Sequence, residues 1–141
     1  MKWTTWENVG VDRMACAWLI KRFIDADAEF SFIPSGSTQV PDGAEPFDIP
    51  GVRYSHHRGH CSFHTIVKEH SLKDPVLHHI ARIVDEADTL QEITLEPVAA
   101  GLDAICTGIR LTSKDDFEAF ERGYEIYNAL YKYLVSSINL T

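Results

Sequence analysis

Strand-like runs are confined to the first 55 residues of this chain, and past a histidine-rich segment every apolar run keeps the 3.6-residue period of a helix. That division leaves few folds. Lys2 to Trp6 alternates aromatic and polar residues and reads as a strand. Asn8 to Val11 is a turn, after which Asp12 is placed to cap a helix. Met14, Ala15, Trp18, Leu19 and Phe23 form one apolar stripe of that helix, with Arg13, Lys21 and Arg22 largely outside it. Phe30 to Ile33 reads as a second strand, and residues 35–45 as a surface loop rich in Gly, Ser, Pro and Asp. Pro46 to Tyr54 looks like two short strands around Pro50-Gly51. Then come four helices. Ser62 caps one that runs to about His70, and Asp74-Pro75 opens another that buries Val76, Ile80, Ile83, Val84 and Ala87 and ends at Asp88. Glu96-Pro97 starts a third with Val98, Leu102, Ile105 and Ile109 inward. Ser113 to Asp116 is a loose capping box before a long last helix carrying Phe117, Phe120, Tyr124, Tyr127, Leu130, Tyr131 and Leu134. The expectation is one α/β domain over 1–141: a small sheet from the N-terminal strands against about five helices, with a helical C-terminal half.

Charge and cysteine usage exclude several functions. A formal charge of −8 repels phosphate backbones and anionic bilayers, so neither nucleic acid nor membrane is expected as a partner. No apolar run approaches the roughly 18–20 residues of a membrane span. The first residues lack the apolar core of a secretory signal. Cys16, Cys61 and Cys106, an odd count, read as reduced thiols of a cytoplasmic protein.

All seven histidines lie between His56 and His79. Chemistry is sought there and at three acidic positions. Asp12 with Arg13 follows a strand-to-helix turn, where α/β folds bind ligands. The plain alternative is that Asp12 only caps its helix and Arg13 is a surface charge. Asp48 ends a short strand, either as a ligand or as a turn carboxylate before Pro50-Gly51. The segment Ser55 to His64 offers His56, His57, His60, Cys61 and His64, and Arg58 as a cation, against the alternative of a solvated loop. Adjacent His56 and His57 point to opposite faces of an extended segment, although both enter one site from a turn. Asp88 sits on the buried side at a helix C-terminus, where the dipole disfavours an acid, so it needs a metal, a partner or a local capping role. Asp85 is read as facing solvent, and His79 as lying outside the site. Cys16, one turn after Asp12, either lines the same pocket or is a small buried hydrophobe. The chain carries no GxGxxG, P-loop, GxSxG, HExxH or CxxC pattern. The aromatic face of the last helix is core or a homodimer interface.

The run Val11-Asp12-Arg13-Met14-Ala15-Cys16-Ala17-Trp18-Leu19-Ile20 through Asp25 resembles the opening of the ChrB-type chromate-resistance domain. So do Phe47-Asp48, Gly51, His56, Gly59 to Phe63, Asp74 to Leu77, Ala81 to Val84, Ala87-Asp88, Ala100 to Asp103 and Tyr127 to Tyr131, which together span the chain. His64 replaces a position usually acidic in that family. Longer members carry an N-terminal half thought to bind DNA, which this domain is expected to lack, so the resemblance does not imply a transcriptional role. At the level of pattern, Asp12, Asp48, His56/His57 and Asp88 also follow the ligand order of DHH-type phosphoesterases, with Met14 and Ser55 where two further acids would stand. The resemblances imply a chromate- or oxyanion-stress protein with one divalent metal (Mn, Fe or Zn) on Asp12, Asp48, His56, His57 and Asp88. Arg13 and Arg58 would receive a small anionic ligand, and Cys16, Cys61, His60 and His64 would lie nearby. Such a site suits a metal-dependent hydrolase or redox enzyme, a non-catalytic metal- or oxyanion-binding sensor, or a purely structural homodimer. Changing Asp12 to Asn is expected to remove most of the metal-dependent rise in melting temperature and leave the metal-free fold largely intact.

Overall fold

The computed structural model describes residues 1–89 and 93–139. Three parallel strands, β1 (Lys2–Trp6), β2 (Glu29–Ile33) and β3 (Ala44–Pro46), form a sheet in the order β2-β1-β3. Trp3 pairs with Phe30 on one side and Glu45 on the other. The central strand buries Trp3, Thr4 and Thr5, as a parallel strand covered on both faces must. Its threonines remain satisfied: Thr4 Oγ1 donates to the Ser31 carbonyl at 3.1 Å and Thr5 Oγ1 to the Phe47 carbonyl at 2.6 Å.

Helix α1 (Val11–Leu19) buries every residue except Arg13 and lengthens into a π-helical turn over Ile20–Ile24. It is the axis on which α2 (Ser62–Glu69), α3 (Pro75–Asp88), α4 (Ala99–Thr112) and α5 (Asp116–Asn139) pack. Trp18 stacks on Phe63, and its Nε1 donates to Asn128 Oδ1 at 2.9 Å. Gly123 lets α5 approach α1 closely, since a Cβ there would lie 3.0 Å from Met14 Sδ. Tyr127 Oη donates to the Val11 carbonyl at 2.7 Å, which fixes the start of α1 against α5. The α/β expectation therefore holds. No helix among the described residues is long and apolar enough to cross a bilayer.

Several boundaries differ from the sequence reading. The third strand, Ala44–Pro46, lies across the end of the expected loop, and residues 47–54 contain only a single bridge between Phe47 and Tyr54. Pro50 has no N–H to give a ladder, and Asp48 adopts φ +52°, so an extended pair cannot form there. Gly10, not Asp12, is the N-cap of α1, and Cys61, not Ser62, is the N-cap of α2; neither makes a side-chain cap. On α4 the buried stripe runs through Ala99, Leu102, Cys106 and Ile109, which leaves Ile105 53% exposed. Asp74 does cap α3, accepting from the Val76 N–H at 2.9 Å. On α5, Phe120, Tyr127, Leu130 and Leu134 are buried within the chain, whereas Phe117 is exposed. All three cysteines are free and buried.

Candidate metal centre

The site begins with a helix that has no cap of its own. Asp12, 2% exposed in the first turn of α1, turns its carboxylate onto the start of α2. Oδ2 accepts the Ser62 N–H at 2.8 Å, Oδ1 the Phe63 N–H at 3.0 Å, and the Cys16 thiol lies 3.5 Å from Oδ1. Asp12 thus caps α2 from another helix, joining a carboxylate to a positive helix end. Asp85, expected to face solvent, completes that end: it accepts the Cys61 N–H at 2.7 Å and His60 Nδ1 at 2.8 Å. The physical reason is that α2 packs on α3, so the 60–61 corner covers the face that a lone α3 would expose.

Asp48 enters through a strained backbone. Its left-handed φ, unusual for a residue with a Cβ, is held by its N–H bonding to the Tyr54 carbonyl at 2.7 Å. The carboxylate is thereby directed inward, where Ser62 Oγ donates to Oδ1 at 2.6 Å and Arg13 Nε lies 3.1 Å from Oδ2. That Arg13–Asp48 approach is an ion pair off the donor line, because buried Arg13 Nε meets no hydrogen-bond acceptor. Arg13 Nη2 donates to the Asp48 carbonyl at 3.2 Å instead. His56 Nε2 then stands 3.1 Å from Asp12 Oδ2, 3.1 Å from Asp88 Oδ2 and 3.7 Å from Asp48 Oδ1. Asp88, the last residue of α3, points its acid into this cluster at the helix end.

Proton affinities record the crowding of charge. Burial, then the Asp12 charge, push Asp48 well above the usual carboxylate range, with Arg13 and the Ser62 hydroxyl acting against them. Burial and Asp12 raise Asp88 to about 6, opposed by His56 and Arg13. The hydrogen bond that His56 donates to Asp12 raises the imidazole to about 9, against the cost of its partial burial. Asp48 and His56 are thus held toward their protonated forms near neutral pH and Asp88 toward its own a little below it, as crowded acids around one imidazole require.

The donor set suits a divalent ion. Asp12, Asp48 and His56 each offer a ligand atom within 4.8 Å of the others. Ligands about 2.0–2.2 Å from a common ion stand roughly 3.0–3.5 Å apart in octahedral or tetrahedral geometry, and the separations of 3.1 and 3.7 Å from His56 are close to that. Hydrogen bonds from Ser62 to Asp48, and from the α2 N–H groups to Asp12, would orient those ligands.

The remaining sequence candidates scatter. His57 turns away and bonds through Nε2 to the Arg53 carbonyl at 3.0 Å. His57 and His60 pair across a two-residue turn in which Arg58 and Gly59 both have positive φ, so Arg58 sits exposed at the tip and outside the cavity wall. His60 and His64 stack ring on ring with centroids 3.9 Å apart, on the Asp85 side. Cys61 is buried with its thiol pushed up by burial, and Cys16 is buried against Asp12. His79 bonds Glu96 at 2.7 Å, away from the cluster.

Above the cluster opens a cavity of about 550 Å³. Arg13, Trp6 and the Ile49–Gly51 corner form part of its wall, together with Arg110, a residue that the sequence reading passed over. Arg110 lies on the last turn of α4, where a cation is an ordinary complement to the helix dipole, so nothing in the sequence marks it. Ser62, which the sequence marks only as a cap, holds Asp48 through its hydroxyl.

The profile of the family described as "ChrB, C-terminal domain" matches residues 3–134. Among curated proteins, "Protein ChrB" of Cupriavidus metallidurans is 33% identical over 137 residues, which cover 96% of this chain and 41% of that protein. The chain thus spans about two fifths of the length of the curated relative it matches. No solved structure matches it. With near-complete coverage by both comparisons, and with Asp12, Asp48, His56 and Asp88 of the resembling motifs drawn together in space, the chain belongs to the family of ChrB C-terminal domains.

Proposed function

We propose that this domain binds one divalent cation on Asp12, Asp48, His56 and Asp88 and, beside it, a small anion, in the chromate or oxyanion response that its family membership implies. The observation that carries this reading is the convergence of three carboxylates on His56 Nε2, within 3.7 Å in every case. A bound cation would supply the positive charge that the cluster now draws from protons, and a Lewis-acid centre for an anionic ligand. The chain's own residues do the rest. The Ser62 and Phe63 N–H groups orient Asp12 and the Ser62 hydroxyl orients Asp48, His56 would release its Nε2 proton to solvent on becoming a ligand, and Arg13 lowers the charge beside Asp48. Oxygen-rich ligation favours Mn²⁺ or Fe²⁺, with Zn²⁺ competing in vitro. Free, buried thiols support a reducing, cytoplasmic setting.

Metal analysis of untagged protein, with titration of Mn²⁺ and Zn²⁺ by calorimetry, tests the reading. Binding should be stoichiometric and should weaken at least tenfold in His56→Ala and Asp48→Asn. Equal affinity in both variants would reject the site. A metal-dependent hydrolase or redox enzyme is the second reading, favoured by the roomy cavity over the cluster. Turnover of phosphate esters or chromate by the Mn²⁺-loaded chain separates it from a binding module.

A further inference from the structure

Arg110 is a guanidinium with nothing to do in the fold. It forms no hydrogen bond, ion pair or ring contact among the described residues, and yet it lines the cavity over the cluster. Its Nη1 lies 3.9 Å from where a Cβ on Gly10 would stand, so it reaches across the start of α1 toward the floor of the site. Arg13 faces the same space with donors to spare: among the described residues its guanidinium makes one hydrogen bond, from Nη2 to the Asp48 carbonyl, beside its ion pair with the Asp48 carboxylate.

Charge and size together limit what these cations await. Three carboxylates exceed one divalent ion by a single negative charge, and Arg13 and Arg110 then leave the loaded site one charge positive. A cation held there also offers an anion a direct ligand bond, which protons on the cluster do not. A bare tetrahedral oxyanion has the bulk of two or three waters, roughly 60–90 Å³. The cavity, about 550 Å³, is several times larger and falls among sites that enclose small organic molecules. Its remaining wall carries the indole of Trp6, held in place by its Nε1 donating to the Ser37 carbonyl at 2.8 Å, and the apolar Ile49–Pro50 corner. Three separate positive centres, the cation, Arg13 and Arg110, suit the three terminal oxygens of a phosphate monoester better than the two of a carboxylate.

We propose that the cavity receives a small organic phosphate monoester, its phosphate bridging the cation and Arg110 with help from Arg13, and its organic body on Trp6 and Ile49-Pro50. This rests on the metal reading above and specifies the ligand of that site. Arg110 is its dedicated anion anchor.

Calorimetry on the Mn²⁺-loaded full chain, with phenyl phosphate, inorganic phosphate and chromate as probes, tests it. Phenyl phosphate should bind at least tenfold more tightly than either inorganic ion, and more weakly when the metal is removed. Arg110→Gln should weaken phenyl phosphate tenfold or more and leave Mn²⁺ affinity within twofold, because Arg110 touches no candidate ligand. Trp6→Leu should weaken phenyl phosphate while sparing inorganic phosphate. Normal Mn²⁺ binding with phenyl phosphate no tighter than chromate or phosphate would overturn the inference and leave the metal reading standing. Equal phenyl phosphate affinity in Arg110→Gln would also overturn it. No Mn²⁺ binding at all would overturn both.

Discussion

Asp12→Asn should damage the fold as well as the site, contrary to what the sequence alone leads one to expect. The carboxylate accepts two buried N–H groups at the start of α2, at 2.8 and 3.0 Å, and α2 has no side-chain cap of its own. Hydrogen bonds to a charged acceptor contribute about 1.5–3 kcal/mol each. Asparagine keeps one oxygen, so one bond survives in neutral form, and its NH₂ must face the other N–H. Relief of the charge that Asp12 imposes on Asp48 and Asp88 offsets part of the loss. The net cost is about 2–4 kcal/mol. At roughly 3–4 °C per kcal/mol for a chain of this size, the metal-free melting temperature should fall by about 6–16 °C. Asp88→Asn is the matched comparison: among the described residues the Asp88 carboxylate pairs only with His56, and burial makes its ionised form unfavourable, so the metal-free stability should stay within about 1 kcal/mol of the parent. Both variants should lose metal affinity. Scanning calorimetry in chelator, followed by Mn²⁺ titration, reads both quantities. If metal-free Asp12→Asn melts within about 2 °C of the parent, Asp12 is not the cap of α2 and the argument fails.

Other expectations concern pH and the residues around the cluster. His56 is raised to about 9, above its unfolded value near 6.5, so its stabilising contribution is complete below pH 6.5 and disappears as pH rises through 9. Asp88, raised to about 6, adds a loss of stability between its unfolded value near 4 and pH 6. The metal-free melting temperature should therefore fall from pH 6.5 to 9 while Mn²⁺ affinity climbs over the same range; a flat melting profile in that range would contradict the charge assignment. Ser62→Ala removes the 2.6 Å donor to Asp48 and should cost about 1–2 kcal/mol in urea melts, with weaker metal binding. Asp85→Ala frees the Cys61 N–H and should destabilise by about 1–2 kcal/mol while leaving Mn²⁺ affinity unchanged, which calorimetry checks directly.

How far the sequence speaks depends on whether a signal is local. Helix α3 is legible because Asp74-Pro75 and a single apolar stripe both lie within it, and Asp88 stands out because a helix end disfavours an acid. Asp85 sits three residues earlier and carries no such mark, since its partners come from the 60–61 corner. The choice between His56 and His57 depended on a turn. Arg58-Gly59 is a two-residue hairpin loop with positive φ at both positions, and reading Gly59 that way pairs His57 with His60 and leaves His56 for the site. β3 was hidden because its three residues include a proline, and parallel pairing with β1 comes from across the chain. Arg110 is invisible for the opposite reason: it obeys every local rule of a helix C-terminus, and only the fold brings it to the cavity.

Asp12 ties the site to the fold more closely than a surface ligand would. One carboxylate ends the N–H groups of α2 and also touches the imidazole at the centre of the cluster. Ser62, the first residue of that helix, donates from its side chain to Asp48 while its own N–H goes to Asp12. Movement of α2 along its axis therefore displaces two of the candidate ligands together. A cation bound among them would resist that displacement, so occupancy should slow amide exchange at Ser62 and Phe63 first, before any global gain in stability. Hydrogen exchange with and without Mn²⁺ measures this. Protection that rises evenly over α5 and β2, with no excess at Ser62 and Phe63, would show that the cluster does not hold the start of α2.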